Sequence, residues 1–329
     1  PVEHHVLVPP LWDSSAAVAP SPKETTPRLE NASLVFSDAL YKIADEAITN
    51  GSDAALRDTS VTCISVKFVD RKGRQATCAS EVHGMSVRND GKGLPIHWTP
   101  KEMESLNKNA ITKYKPTTAF GVPLSSSNFK TDRGTVGGKN GIGIKLANIL
   151  SSRFDVCVVS KSHRKLERFV QRWSKNMSER EEPVVSSAGD NSSTFTHVRF
   201  WPDKARFGLS EEDALPSDFQ RMVHRRVIDV ATVLGERVSV SFNGVKIGCS
   251  SLESAVLLCG GDASYEFKPL SKDKNRPYKK GDVKCWSVAA SLCPIGTLSN
   301  NLSFVNGVTT SQDGTHVYHA AHILAKALH

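Results

Sequence analysis

Phe36, Leu40, Ile43 and Ala47 recur three or four residues apart, which predicts an amphipathic helix with these side chains as its buried stripe. On the same helix Glu46, Asn50 and Asp53 fall at i, i+4 and i+7, a carboxylate, an amide and a second carboxylate in one row. Ser37 and Asp38 are N-cap candidates, and Gly51 is placed to let the chain turn out of the helix. The pattern then switches to alternation over Val61–Val69, and Arg71 to Arg74 supplies a turn into a second strand. Further strands are expected over Val156–Ser160, Arg168–Trp173 and Thr194–Phe200, then a helix over Ser217–Leu234 and a hairpin at Asn243 and Gly244. Strands near Trp286–Leu292 and Leu302–Val305 and a helix over His316–Leu328 complete the pattern. Helix, hairpin, glycine-led helix and successive antiparallel strands make an α+β sandwich, one mixed sheet with helices on one face.

Two stretches break the periodicity. Residues 13–33, rich in Ser, Pro and Ala, read as a flexible connection between an N-terminal arm and the body. Residues 99–136 are long, polar and punctuated by Gly and Ser, as functional lids are.

The chain has 329 residues, room for two domains at roughly 150 residues each, and its 39% hydrophobic and 23% charged content is that of a globular protein. No apolar run approaches the roughly 20 residues that span a bilayer, and the N-terminus lacks the basic and apolar regions of a signal peptide. A soluble intracellular protein, or a piece of a larger one, is expected, with no membrane partner. Seven cysteines without a C-x-x-C pair read as reduced thiols rather than a zinc site. The 42 Lys and Arg exceed the 34 Asp and Glu, giving +8, which favours a polyanionic partner. The excess concentrates in Lys161–Lys175 and Lys268–Lys280; each run alone is as readily a solvated basic loop, and the second also suits a nucleic-acid surface.

The candidate chemistry begins on the first helix. A carboxylate such as Glu46 can position and deprotonate a water, and an amide oxygen one turn on, at Asn50, can hold a hard cation such as Mg²⁺. An isolated E-x-x-x-N is ordinarily a polar helix face, so the reading depends on the motifs further along the chain. Asn89-Asp-Gly-Lys-Gly-Leu-Pro95 carries two glycines that let backbone approach a planar ligand, and an amide with both donor and acceptor for an adenine edge; alone it would be a turn. Val136-Gly-Gly-Lys-Asn-Gly-Ile-Gly-Ile-Lys-Leu-Ala-Asn148 runs glycines into an apolar helical pattern, a phosphate cradle of bare N–H groups. It is not a P-loop, since Lys145 lies between Ile144 and Leu146 without the Ser or Thr that binds magnesium, and Leu146 stands where a dinucleotide fingerprint needs its third glycine.

These motifs, in this order, resemble the ATPase region of type IIA DNA topoisomerases, members of the GHKL (Bergerat) nucleotide-binding superfamily, of the eukaryotic or large-virus type. Val2 to Leu7 is similar to the family's arm, Lys42 to Asn50 to its magnesium helix, and Asn89 to Pro95 to its adenine loop. Phe120 to Asn128 resembles its lid serines, Gly137 to Ser151 its phosphate loop, Thr196 to Asp203 the strand whose threonine holds the base, and Ser303 to Val317 the opening of the transducer domain. The resemblance implies an arm and connection over 1–33, a GHKL ATPase domain over 34–264 and the start of a transducer over 265–329. It implies that Glu46 activates the attacking water, that Asn50 holds Mg²⁺, and that Asn89 and Thr196 read adenine. Ser126, Ser127 and Asn128 would contact ribose and phosphate. Gly138, Lys139, Asn140, Gly141, Ile142, Gly143, Ile144 and Lys145 would wrap the triphosphate, Lys145 adding catalytic charge. The implied protein is an ATP-dependent homodimeric gate for double-stranded DNA, nuclear by its family, with a mitochondrial or viral setting as the alternative. A dimerisation scaffold with little turnover and another GHKL ATPase are the alternatives.

The chain departs from the family in three places. Val8 to Ser14 replaces the arm's Arg-Pro-Asp-Thr-Tyr-Ile-Gly, with Trp12 the candidate substitute for the tyrosine that reaches the partner subunit. Ala54 replaces a second asparagine on the magnesium helix, and the transducer's Gln-Thr-Lys loop would lie beyond His329.

Overall fold

A computed structural model describes residues 2–12, 28–105, 112–123, 125, 141–162, 165–189, 191–260, 265–267, 287–291, 302–305, 307–310 and 314–328. Its centre is α1 (Asp38–Arg57), which starts where the Ser37 side chain accepts the Leu40 N–H at 3.4 Å. Leu40, Ile43 and Ala47 are buried together with Phe36, as their spacing predicts. Each large apolar side chain so buried stabilises the fold by about 1.5–3 kcal/mol. Gly51 does not end the helix. It sits against the sheet, where a Cβ would lie 3.6 Å from Ile64 and 3.7 Å from Val87, and α1 continues to a cap at Asp58.

The sheet beneath α1 combines β3 (Cys63–Val69), β4 (Gly84–Asn89), β5 (Ser151–Ser162), β6 (Lys165–Ser174), β7 (Glu179–Arg180), β8 (Val184–Ser187), β9 (Phe195–Pro202), β10 (Ser239–Phe242) and β11 (Val245–Lys246). Their order is β11-β10-β3-β4-β9-β5-β6-β7, with β8 also on β6. The β10–β3 pair is parallel and the others antiparallel, so the sheet is mixed. Register places Phe242, Val66, Val87, Val198, Val156 and Gln171 in one row across it, on the face that also carries Ile64, Phe154 and Phe200. Helices cover this face. Besides α1, His224 of α5 (Ser217–Leu234) stacks on Phe242 at 4.2 Å and Phe120 of α3 (Lys115–Gly121) meets Phe154 at 6.3 Å. The opposite face is polar.

Several expected elements differ in extent. Strand β4 begins ten residues after the Arg71–Arg74 turn, because the chain first makes a single bridge at Gln75 and a short 3₁₀ turn at Ala79–Glu81. Within the expected lid, Pro100–Ser105 (α2) and α3 are helical; Pro at the second position of α3 has no N–H to lose there. The helix after the glycine loop, α4 (Gly143–Ile149), buries Ile144, Ala147 and Asn148 but leaves Leu146 37% exposed, so the apolar run is wider than its buried face.

The N-terminal strand β1 (Val2–Val8) pairs antiparallel with β2 (Glu30–Phe36), so the chain is already strand from Glu30, inside the expected connection. Trp12 packs on its own chain, with its indole N–H donating to Gln220 Oε1 at 2.9 Å and its ring 5.7 Å from Phe68. After α6 (Leu252–Leu258) come a pair β12 (Tyr265–Phe267) and β13 (Val288–Ala290), a hairpin β14 (Phe304–Val305) and β15 (Val308–Thr309), and α7 (Thr315–Leu328). The basic run 268–280 lies outside the described residues. Cys63, Cys78, Cys157 and Cys249 carry free thiols, no cluster of metal-ligating side chains occurs among the described residues, and no described helix is long and apolar enough to cross a membrane.

Candidate active site

The helix face of the sheet ends in a polar corner where β4 runs out. Asn89 closes β4 and is the direct cross-strand partner of Thr196 on β9, so backbone pairing alone brings together two residues 107 positions apart in the chain. The loop after Asn89 is tied down on three sides. The Asp90 carboxylate accepts from the Thr62 N–H at 2.8 Å, the Thr62 hydroxyl at 2.6 Å and the Cys63 N–H at 2.9 Å. Leu94 N–H donates to Thr196 Oγ1 at 3.1 Å, and Thr194 Oγ1 donates to the Gly91 carbonyl. Gly93, at φ +70°, lies so close to β5 that a Cβ would sit 2.4 Å from the Val159 carbonyl oxygen. Here the missing side chain serves a close approach to the chain's own sheet, and the loop is not a hairpin turn, since β4 pairs with β3 and β9. Asn89 itself is buried, with its amide donating to the Asp90 carbonyl at 2.8 Å.

The second group of predicted site residues stands on helices. Glu46 is partly buried on α1, and Lys42, one turn before it, holds Glu46 Oε1 at 2.9 Å and Asp45 Oδ2 at 3.0 Å. Burial works against the Lys42 charge, but the Glu46 and Asp45 carboxylates outweigh it and hold the ammonium above the ordinary lysine range. Gly143, the first residue of α4, lies directly on the Glu46 carboxylate: a Cβ there would stand 1.8 Å from Oε2. Gly141, at φ +61°, precedes it. Asn50 is exposed on the next turn of α1. Asp53 is buried at 2% exposure with Arg57 at 3.6 Å, so the third member of the predicted row belongs to the protein interior.

Lys145 is nearly buried, and its Nζ donates to the Ser125 carbonyl at 2.9 Å. Burial lowers its ammonium to about 8. A cation placed this way gains from any anion brought to it. Of the predicted site, Glu46, Asn50, Asn89, Gly141, Ile142, Gly143, Ile144, Lys145 and Thr196 are described. Ser126, Ser127, Asn128, Gly138, Lys139 and Asn140 lie outside the described residues.

Sequence reasoning passed over a second ionic layer behind Glu46. Arg226 of α5, 2% exposed, donates to Asp45 Oδ1 at 2.7 Å, to Thr49 Oγ1 at 3.1 Å and to the Gly307 carbonyl at 3.3 Å. Three residues on, Asp229 accepts from Thr309 Oγ1 at 2.9 Å, so the same helix ties the β14–β15 hairpin to α1. Burial opposes the Asp45 charge, but Arg226 and Lys42 prevail and hold its carboxyl below the ordinary range. The Lys42–Glu46 pair was readable from its i, i+4 spacing; the Arg226 contact joins residues 181 apart and left no local signal.

No family model matches the chain. Among curated proteins, it is 34% identical over 301 residues to DNA topoisomerase 2 top-2 of Caenorhabditis elegans, covering 91% of this chain and 18% of that protein. It is 31% identical over 305 residues to DNA topoisomerase 2 of Drosophila melanogaster, covering 92% and 19%. The chain therefore spans about a fifth of these relatives. Among solved structures, the ATPase region of Saccharomyces cerevisiae topoisomerase II matches with a TM-score of 0.73 and 27% identity over 99% of this chain and 74% of that one. The ATPase and transducer domains of DNA topoisomerase II from Balamuthia mandrillaris match with a TM-score of 0.74 and 28% identity, covering 99% and 71%.

Proposed function

The chain is a homologue of the ATPase region of type II DNA topoisomerases, and from that kinship we propose that it is the Mg-ATP-operated gate of such an enzyme, dimerising on ATP binding to capture a DNA duplex for strand passage. The observation that carries the proposal is the meeting of a partly buried carboxylate, Glu46 on α1, with a glycine backbone, Gly143 on α4, where α1 itself packs on β4, the strand whose last residue Asn89 pairs with Thr196.

The residues present fit a nucleotide. A side chain at Gly143 would fill the space beside Glu46, and Lys145 is a cation shielded from water with a carbonyl as its partner. Bound Mg-ATP supplies the phosphoryl group to be transferred and a cation that neutralises part of its charge. Asn89 and Thr196 read the base edge, held in register by the sheet. Asn50 offers its amide oxygen to the metal, and Gly141 to Lys145, with Gly138 to Asn140 before them, wrap the phosphates. Ser126, Ser127 and Asn128 contact ribose and phosphate. Glu46 orients a water and takes its proton, while Lys42 keeps the carboxylate fixed. We divide the chain accordingly into an arm and connection over 1–33, an ATPase domain over 34–264 and the start of a transducer over 265–329. The setting that fits this reading is nuclear.

Replacing Glu46 by Gln tests the assignment. The amide keeps the size of the side chain but cannot take a proton, and general bases contribute about 10²–10⁴-fold. Phosphate release should fall by that order while affinity for a non-hydrolysable ATP analogue with Mg²⁺, measured by calorimetry, stays within about threefold. Equal turnover by the two proteins would remove Glu46 from the reaction.

A further inference from the structure

The face of the sheet turned away from the helices is as strongly charged as the inner face is apolar. Register fixes a row across it, Lys67 on β3, Ser86 on β4, Arg199 on β9, Asp155 on β5 and Arg172 on β6. Arg88 stands two residues along from Ser86, Arg153 two from Asp155, and Arg168 four from Arg172, all on this same side. Three guanidiniums converge on one carboxylate: Asp155 is held by Arg153, by Arg172 at 2.8 Å and by Arg199 at 3.3 Å. One buried carboxylate orients three cations and neutralises one charge. Arg172 also meets Glu181 at 3.4 Å, which leaves the surface clearly positive. The half-buried His197 between Arg88 and Arg199 registers this: burial first, then the charges of Arg199, Arg88 and Lys67, lower it to about 4.

The nucleotide site uses none of these side chains. We propose that this outer face is a second, sequence-independent contact surface for the phosphate backbone of duplex DNA. Choosing DNA among polyanions rests on the function proposed above; the surface itself does not. From β3 to β6 the row crosses four strand spacings, roughly 19 Å, wider than the ~12 Å major groove, so its cations reach backbone on both sides of a groove. The guanidiniums of Arg153, Arg172 and Arg199 are already oriented by Asp155, and fixed arginine forks suit phosphate oxygens. Single strands are bound through exposed rings on which bases stack, and that platform is closed here. Arg88 covers Phe195 at 4.3 Å and Arg153 covers Trp201 at 4.3 Å. No base edge is read by such a row, so binding should be indifferent to sequence.

The test is the binding of a fluorescent duplex of about 20 base pairs over a range of salt, for the wild-type chain and for the double variant Arg88→Gln, Arg168→Gln. Neither side chain holds Asp155, so the cluster that organises the face stays intact. Loss of two phosphate contacts should weaken binding at fixed salt about tenfold or more and flatten the slope of log affinity against log salt by about 1.8. Affinity for the ATP analogue should not change. Identical affinity and slope in the two proteins, or no duplex binding by the wild type, overturns the proposal, as does tighter binding of the matching single strand. Duplex binding that depends on these arginines in a chain that binds no nucleotide would leave this surface standing and fell the function proposed above.

Discussion

The two ends of the candidate site are made in different ways. At the sheet end Asn89 and Thr196 are partners in a ladder, the Asp90 carboxylate ties the loop to Thr62 and Cys63, and Gly93 closes on the Val159 carbonyl of β5. At the helix end the groups stand on helices α1 and α4, and what fixes them is charge: Lys42 on Glu46 and Asp45, Arg226 on Asp45. The first end cannot move without unzipping a sheet, whereas the second can adjust by rotating side chains. A substitution at the first should therefore register as lost stability, and one at the second as lost ligand binding with the fold intact.

Two glycines give the sharpest contrast. A Cβ on Gly143 meets the far end of a side chain, the Glu46 carboxylate, which can swing away. Gly143→Val should leave the melting temperature nearly unchanged and reduce affinity for the ATP analogue a hundredfold or more, because the displaced carboxylate and the added methyls occupy the phosphate approach. A Cβ on Gly93 meets backbone, the Val159 carbonyl, and the residue sits at φ +70°. Gly93→Ala should therefore cost stability first, about 1–3 kcal/mol of strain, read by urea unfolding. A Gly143→Val protein that binds nucleotide normally would reduce α4 to an ordinary helix start.

Asp90→Ala weakens the sheet end without adding bulk. It removes the acceptor for the Thr62 N–H, the Thr62 hydroxyl and the Cys63 N–H; water can replace the carboxylate at these exposed or half-buried donors, so the loss should be about 0.5–1.5 kcal/mol. The expected signature is a lower urea midpoint and a reduced preference for ATP over GTP, with phosphate affinity kept. If the variant instead loses triphosphate binding while its stability is unchanged, the division between the two ends is wrong.

That division also explains what could be read in the sequence. Strands, α1, α5, the Asn243–Gly244 hairpin and the glycine loop after β4 were legible because each rests on local periodicity or on a glycine at a forced turn. The resemblance gives Asn89 and Thr196 one role, but no local pattern shows their adjacency, which is a property of sheet order, in which β9 inserts between β4 and β5. Gly51 misled for a physical reason: in the helix interior its missing side chain serves close packing on Ile64 and Val87, which looks in sequence like a stop. Leu146 belongs to the apolar run after the glycines, yet on a two-turn helix an apolar residue need not face the core. The Arg226 layer behind Glu46 had no sequence signature, because a buried ion pair is set by two helices packing and by no spacing within either.

The smallest effect expected is also the most diagnostic, because one residue drives two pH trends in opposite directions. Lys145 has an ammonium at about 8 in the folded chain against 10.5 unfolded, the consequence of burial. Below pH 8 both states hold the proton and the fold carries the full cost of a buried charge. Between 8 and 10.5 the unfolded chain binds more protons than the folded one, so stability should rise with pH through that window. Nucleotide binding should do the reverse. A triphosphate gains from the charged form, so affinity should fall as pH passes 8, by up to about tenfold per unit. Lys145→Met, close in length and without a charge, should flatten both trends together, with affinity at pH 7 lower than wild type and stability higher. Urea unfolding and calorimetry with the ATP analogue between pH 7 and 9.5 measure the pair. If affinity keeps its pH dependence in the Met protein, the titrating group lies elsewhere; if only affinity flattens, Lys145 meets the phosphate but is not desolvated in the free chain.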